Sequence, residues 1–347
     1  MLLFGARDPW RARVHRPKGL MLRHLLAIAV ILTVAPGCDN VKFGGASLEI
    51  LPPPSTGEGV EIEVDDGDVV SLLNEDLPIL LAGVRDGSRA TLTLVGEVHG
   101  DVLRAFPDSA FPSDTERLEA LTALGSEWIL FSEGVRVGRL VVDAADVVDG
   151  FCGPRARVSG IVELVPAAAG AERLLALPAD DARERAYGEY HELGDVYEQR
   201  VATLQIAQEA IPEQGARWPL SILDARKHIQ AFDLGGAVGP YVAATFMYED
   251  ELAVSPPGQG AYALFVMGEQ VGDIHERAYV WYRAVDTEGK GAPRYFDHLD
   301  WDGDGVEEIL LDVFGSNRRW FAGLAQVDGS WVRTFQDVCG AGSTSSG

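Results

Sequence analysis

The chain has 347 residues, of which 47% are hydrophobic, and its 53 acidic and 29 basic residues give a formal net charge of −24. This length and apolar content are typical of a globular protein with a sizeable core, which excludes a chain that is disordered throughout. The excess of negative charge argues against a nucleic-acid-binding protein, because phosphate contacts need clustered Lys and Arg. Composition alone indicates no reaction.

The first 37 residues have the pattern of a secretory signal peptide. They contain six basic residues and one acidic residue, and an apolar run over residues 25–34 follows Arg23 and His24. Such a run suits the core of a signal peptide but is too short for a membrane-spanning helix, which needs roughly 20 residues. Met21 is an alternative start of translation.

The signal-peptide pattern ends in Ala35-Pro36-Gly37-Cys38, which resembles the lipobox of bacterial lipoproteins. The resemblance implies cleavage before Cys38 and lipidation of that cysteine. It therefore implies a cell-envelope protein that its lipid anchors to the inner or outer membrane, with its body in the periplasm or on the surface. An ordinary signal peptide followed by an unrelated cysteine is the alternative.

Short apolar runs separated by turn residues predict strands in two parts of the chain. In the first part they cover residues 60–64, 77–84, 90–95, 128–131, 135–142 and 158–165, and in the second 242–248, 261–267, 277–283, 309–314, 320–327 and 331–335. Turn residues 65–68 and the pair Asp328-Gly329 predict hairpins. Residues 113–124 predict one short helix.

Apolar residues at three- and four-residue spacing over residues 190–211 predict an amphipathic helix that ends near Pro212. The pattern of residues 221–232 predicts a second helix.

The expected fold class is α+β, mostly antiparallel β, with β-rich N- and C-terminal parts around a helical middle. The expected segments are a signal peptide (1–37), a lipidated cysteine with a Pro/Gly linker (38–59), a β-rich part (60–178), a helical segment (179–235), a β-rich part with a calcium-type loop (236–339) and a disordered tail (340–347).

Two cysteines lie in the body of the chain, Cys152 and Cys339. Outside the cytoplasm, an even pair in a chain with a signal peptide predicts one disulfide. Two buried free thiols are the alternative. Because the chain has no C-x-x-C motif, the predicted disulfide is structural.

One loop has the spacing of a calcium site. Oxygen ligands fall at loop positions 1, 3, 5, 7 and 9, with Gly305 at the sharp turn of position 6: Asp300, Asp302, Asp304, the carbonyl of Val306, and Glu308. Ca²⁺ takes six to eight oxygen ligands, and this spacing turns alternate groups toward one ion. A strand follows, and Leu311 replaces the EF-hand glutamate at position 12. An acidic turn without an ion is the alternative.

This loop resembles the D-x-D-x-D-G loops of FG-GAP and related VCBS-type β-propeller repeats, over about fifteen residues and in one copy. The resemblance implies a structural Ca²⁺ and a strand after the loop. No repeat of 20 to 50 residues is visible, so it does not imply a propeller.

Other patterns are weaker. Residues 96–100 resemble the G-E-x-H-G motif of haem-binding and erythromycin-esterase-like proteins, although an unrelated turn explains them better. The sequence has no nucleophile-elbow, zincin or P-loop motif, which argues against an enzyme. Aromatic residues are frequent near the C-terminus, where burial is expected and sugar stacking is the alternative: Trp281, Tyr282, Tyr295, Phe296, Trp301, Trp320, Phe321, Trp331 and Phe335.

These patterns favour a lipid-anchored envelope protein that is a non-enzymatic binding or structural module with one structural calcium site and no catalytic residues assigned. Its expected partners are the membrane, through the lipid, and an envelope protein or a glycan. The alternatives are an envelope hydrolase that uses Asp and Glu carboxylates, or a carbohydrate- or peptidoglycan-binding module.

Overall fold

The computed structural model describes residues 77–100, 102–105, 116–182, 188–194, 196–235, 239–337 and 339. The predicted signal peptide, Cys38, the linker, the first predicted strand with its hairpin turn, and the tail lie outside these residues. The described part is mostly antiparallel β-sheet, as the sequence predicts. Each predicted strand within it overlaps a strand of the structure.

The first half of the described chain forms a closed barrel. Its elements are β1 (Ile79–Asp86), β2 (Arg89–His99), β3 (Val102–Arg104), α1 (Glu116–Thr122), β4 (Glu127–Ser132), β5 (Val135–Val148), β6 (Arg155–Leu164) and β7 (Arg173–Pro178). Six strands follow the order β1-β7-β4-β5-β6-β2, and pairing of β1 with β2 closes the ring. Strand β3 pairs with the last three residues of β2, at positions 97–99.

Several barrel strands are buried on both faces, which explains their continuous apolar sequence. Leu81, Leu130 and Leu174 belong to the interior cluster of the barrel. Their neighbours along the strands, such as Leu80 and Leu175, pack outward against a second sheet. Because successive side chains of a strand point to opposite faces, both sets must be apolar here.

The second half forms two four-stranded antiparallel sheets. Its elements are α2 (Tyr197–Glu213), α3 (Ile222–Ala225), β8 (Arg226–Phe232), β9 (Tyr241–Tyr248), β10 (Tyr262–Val271), β11 (Ile274–Ala284), α4 (Val285–Glu288), β12 (Ala292–Leu299), β13 (Glu308–Phe314), β14 (Arg319–Val327) and β15 (Ser330–Gln336). One sheet has the order β11-β10-β9-β8 and the other β12-β13-β14-β15.

These two sheets share a core, and each has a second covered face. Phe265 and Met267 of β10 pack in one cluster with Leu311 of β13. The far face of the β8–β11 sheet is covered by α2 through Ile206 and its neighbours. The far face of the β12–β15 sheet packs on the barrel. The layers are therefore barrel, β12–β15 sheet, β8–β11 sheet and helix.

The helical middle is smaller than predicted. Helix α2 begins at Tyr197, so Tyr190 precedes it. The prediction of a helix over residues 221–232 is wrong beyond its first turn, since α3 ends at Ala225 and β8 follows at once. Strand β8 pairs with β9, and this tertiary pairing overrides the weak local helical pattern.

Two further predictions agree with the structure. Cys152 and Cys339 are at disulfide distance, with Cα atoms 5.3 Å apart. Asp328 and Gly329 join β14 to β15 with φ values of 51° and 75°, the left-handed turn that Asp-Gly favours.

Candidate functional site

The acidic loop that joins β12 to β13 brings its three aspartates together. Ligand atoms of Asp300, Asp302 and Asp304 all lie within 4.8 Å of one another. In the described part of the chain, no other set of three His, Cys, Asp or Glu residues meets this condition. Three of the five sequence-predicted ligands therefore converge, whereas Glu308 and the carbonyl of Val306 are not part of this cluster.

Hydrogen bonds from backbone amides to aspartate side chains hold the loop in a tight turn. The amides of Gly303 and Gly305 donate to the two carboxylate oxygens of Asp300, at 2.6 and 3.0 Å. The Val306 amide donates to Oδ1 of Asp304 at 2.7 Å. Gly303 and Gly305 have φ values of 85° and 90°, which side chains with a Cβ rarely adopt. The loop sequence is thus suited to this turn.

Glu308 adds a fourth carboxylate from the first residue of β13. It is 3% exposed and accepts the backbone N–H of Trp301 at 3.2 Å. Burial, and then Asp302, raise the pKa of Glu308 to about 9. Burial also raises the pKa of Asp302 to about 6, with further repulsion from Asp304 and Asp300. Crowded oxygen donors of one charge fit a hard cation such as Ca²⁺.

A second group of carboxylates, which sequence analysis missed, lies where the barrel meets the β12–β15 sheet. Glu133 occupies the turn between β4 and β5, and its backbone N–H donates to Oδ1 of Asp297 on β12 at 2.9 Å. The amide of His298 donates to the same oxygen at 2.8 Å. Oε2 of Glu133 and Oδ2 of Asp297 are buried and have no hydrogen-bond partner among the described residues.

Burial perturbs both acids of this Glu133–Asp297 pair. It is the main cause that raises the pKa of Glu133 to about 9, and the charge of Asp297 adds to it. Burial likewise raises the pKa of Asp297 to about 7. Arg173 lowers both pKa values, while its guanidinium donates to Oε1 of Gln230 at 2.8 Å and lies over the ring of Tyr295.

A neutral histidine borders the pair. His298 is fully buried, and this burial lowers its pKa to about 3. Its Nδ1 is 2.6 Å from the hydroxyl of Tyr295, and its Nε2 is 3.8 Å from Oε2 of Glu307, which accepts the N–H of Gly235 at 2.6 Å. The side chain of Glu307 therefore lies near the Glu133–Asp297 pair, whereas the side chain of Glu308 points to the acidic loop.

The remaining sequence-predicted features have structural positions of their own. Nε2 of His99 and Oε2 of Glu97 form a hydrogen bond of 2.8 Å at the end of β2. The C-terminal aromatic residues are largely core, as expected. Eight of those nine rings are less than 8% exposed: Trp281, Tyr295, Phe296, Trp301, Trp320, Phe321, Trp331 and Phe335. They do not form an exposed stacking surface.

Comparisons of the chain with protein-family models, curated proteins and solved structures found no match. Within the described ranges, no helix has both the length and the apolar character needed to cross a membrane. The two acidic groups, the loop of Asp300 to Glu308 and the Glu133–Asp297 pair, are the chemical features from which a function can be argued.

Proposed function

We propose that this chain is a lipid-anchored bacterial cell-envelope protein whose β-rich body binds one structural Ca²⁺ at the acidic loop. In this proposal the body is a non-enzymatic binding or structural module, and Cys38 carries the lipid. The observation that carries the calcium site is the convergence of the Asp300, Asp302 and Asp304 carboxylates within 4.8 Å, beside a buried Glu308.

The proposed ion would act as a staple between two strands. Asp300 follows β12 directly, and Glu308 is the first residue of β13. A cation held by both ends of the loop would fix the pairing register of β12 and β13. It would also remove the repulsion among the four carboxylates. This supports a contribution to stability more than to catalysis.

The alternative of a hydrolase that uses Asp and Glu is supported by the raised pKa values of the Glu133–Asp297 pair. However, the free oxygens of both acids are buried away from solvent. A bulky substrate such as a glycan chain could not reach them in this conformation, and we therefore prefer the non-enzymatic module.

Thermal unfolding of the full-length protein tests the calcium site. Saturating Ca²⁺ should raise Tm by roughly 5 °C or more over excess chelator, because a ligand at about 100 times its Kd stabilises by about 2.7 kcal/mol. Asp302→Ala, which removes one oxygen ligand, should lose the part of this rise that the loop contributes. Asp328→Asn, in the exposed β14–β15 turn, is the matched control and should retain it. Equal Tm values with Ca²⁺ and with chelator in the unmodified protein would reject the site.

The anchor needs a separate test, because it depends on Cys38 and not on the body. Cells that express the protein should incorporate labelled palmitate into it, and Cys38→Ala should release it from the membrane fraction. An unlabelled protein whose Cys38→Ala variant stays equally membrane-bound would contradict the lipid anchor while leaving the calcium site untouched.

A further inference from the structure

Glu133 stands in a backbone conformation that its residue type disfavours. It has a φ of 50° and Gly134 a φ of 71°, so both residues of the β4–β5 turn are left-handed. The β14–β15 turn has the same shape but uses Asp328 and Gly329. Asp tolerates this region because its short side chain bonds locally, whereas the longer side chain of Glu is less suited to it, although Glu249 also has a φ of 51°. Strain kept at a non-glycine residue is typical of functional positions.

The side chain at this strained position is also incompletely bonded. Oε2 of Glu133 is buried without a hydrogen-bond partner in the described part of the chain, and so is Oδ2 of Asp297, a residue that is 1% exposed. A buried carboxylate oxygen without a donor is costly. Oδ1 of Asp297 is held by the amides of Glu133 and His298, which fixes the direction of the free oxygen. Two such oxygens in one cluster, with no donor among the described residues, are suited to bind a cation.

The groups around the pair are mostly acidic. Glu307 lies against the turn, since a Cβ on Gly134 would come within 2.2 Å of its Oε1. Glu192 and Asp233 act on Glu133 as further negative charges, and Arg173 acts as a positive one. Tyr190, Tyr295 and the neutral His298 are further titratable groups that face the pair. Among the described residues, carboxylates therefore outnumber cations around the two free oxygens.

We propose that the Glu133–Asp297 pair binds a hard divalent cation, Mg²⁺ or Ca²⁺, at a site separate from the acidic loop. Its two free oxygens are the proposed ligands. Mg²⁺ in particular is commonly held by one or two carboxylates together with water. The cation would tie the β4–β5 turn of the barrel to β12.

Calorimetric titration of the chelator-stripped full-length protein with CaCl₂, and separately with MgCl₂, tests this site. The unmodified protein should bind two ions with at least one of the metals. Glu133→Gln should lose one of them, and we expect it to fold because Gln is an isostere of the protonated acid. Asp302→Ala, which removes an oxygen ligand of the loop, should lose the other. Glu192→Gln removes a charge near the pair without removing a ligand and is the matched control, which should still bind two.

The results separate this site from the proposed calcium loop. One ion in the unmodified protein, lost in Asp302→Ala and kept in Glu133→Gln, would overturn the pair site and leave the loop site standing. One ion lost in Glu133→Gln and kept in Asp302→Ala would support the pair site and reject the loop. If Glu133→Gln retains both ions while its circular dichroism is unchanged, the pair is not a cation site.

Discussion

Arg155 and Asp337 form a buried ion pair that joins the barrel to the end of β15. Nη2 of Arg155 is 2.6 Å from Oδ1 of Asp337, and the two residues are 6% and 0% exposed. Arg155 also donates to the carbonyl oxygens of Leu94 and Val95, and Oδ2 of Asp337 accepts the N–H of Phe321. The pair thus connects β6, β2 and β14 in one hydrogen-bonded network.

Removing one partner of this pair should destabilise the protein strongly. Asp337→Ala leaves the Arg155 guanidinium buried without its carboxylate, which typically costs about 3–5 kcal/mol. The exposed pair Arg157–Asp146 provides the control, because Asp146→Ala should change the free energy of unfolding by less than about 1 kcal/mol. Urea unfolding measures both. Similar losses in the two variants would contradict a structural role for the buried pair.

The Cys152–Cys339 disulfide joins the same two chain segments as this ion pair. Cys152 precedes Arg155 by three residues, Cys339 follows Asp337 by two, and the bridge closes a sequence separation of 187 residues. Replacing both cysteines by Ser should cost about 2–5 kcal/mol, because the unfolded chain regains the freedom that the cross-link removes.

Because the two links connect the same segments, their effects should not be additive. Asp337→Ala lowers the free energy of unfolding in both proteins. The size of this loss should differ between the Cys152→Ser/Cys339→Ser protein and the oxidised protein by about 0.5 kcal/mol or more. A double-mutant cycle by urea unfolding measures the difference. Strict additivity would mean that the disulfide and the ion pair act independently.

Local sequence predicted the features that depend on neighbouring residues. The Asp328-Gly329 hairpin and the acidic loop each lie within about ten residues, so their patterns are visible directly in the sequence. Strand β12 was missed because it contains Pro293 and the buried Asp297 and His298, which resemble a loop. Pro is tolerated there because β12 is the edge strand of its sheet.

The Glu133–Asp297 pair could not be predicted in this way. Its two acids are 164 residues apart in the chain, and only the packing of the barrel on the β12–β15 sheet brings them together. The local signal was a Glu-Gly turn between two predicted strands. In sequence, that signal looks like any other hairpin, and the perturbation of the acids comes from burial that the local pattern does not encode.

Gly134 should be intolerant of a side chain for two reasons. Its φ of 71° disfavours Ala, and a Cβ would lie 2.2 Å from Oε1 of Glu307 and 2.9 Å from Nε2 of His298. Gly329 has a φ of 75° but open space around its Cβ, so Gly329→Ala isolates the backbone cost, about 1 kcal/mol. Gly134→Ala should lose about 1–3 kcal/mol more, because its neighbours must move. Equal losses in thermal unfolding would show that Glu307 and His298 adjust freely.

The raised pKa of Glu133 predicts a pH-dependent loss of stability in excess chelator. The unfolded acid titrates near 4.5 and the folded one near 9, so between these values the folded state holds a proton that the unfolded state lacks. Stability from this group is therefore lost as pH rises from about 4.5 to about 9. Glu133→Gln keeps the neutral form and should be more stable than the unmodified protein at pH 9, by on the order of 1–3 kcal/mol, with little difference at pH 5.

Urea unfolding at pH 5, 7 and 9 measures this difference. Glu276→Gln, which removes an exposed acid from β11, should follow the pH dependence of the unmodified protein closely. A Glu133→Gln curve parallel to that of the unmodified protein would mean that Glu133 ionises normally in the folded state. With saturating divalent cation in place of chelator, the order should reverse at pH 9, because the ionised pair then binds the ion and the Gln variant cannot.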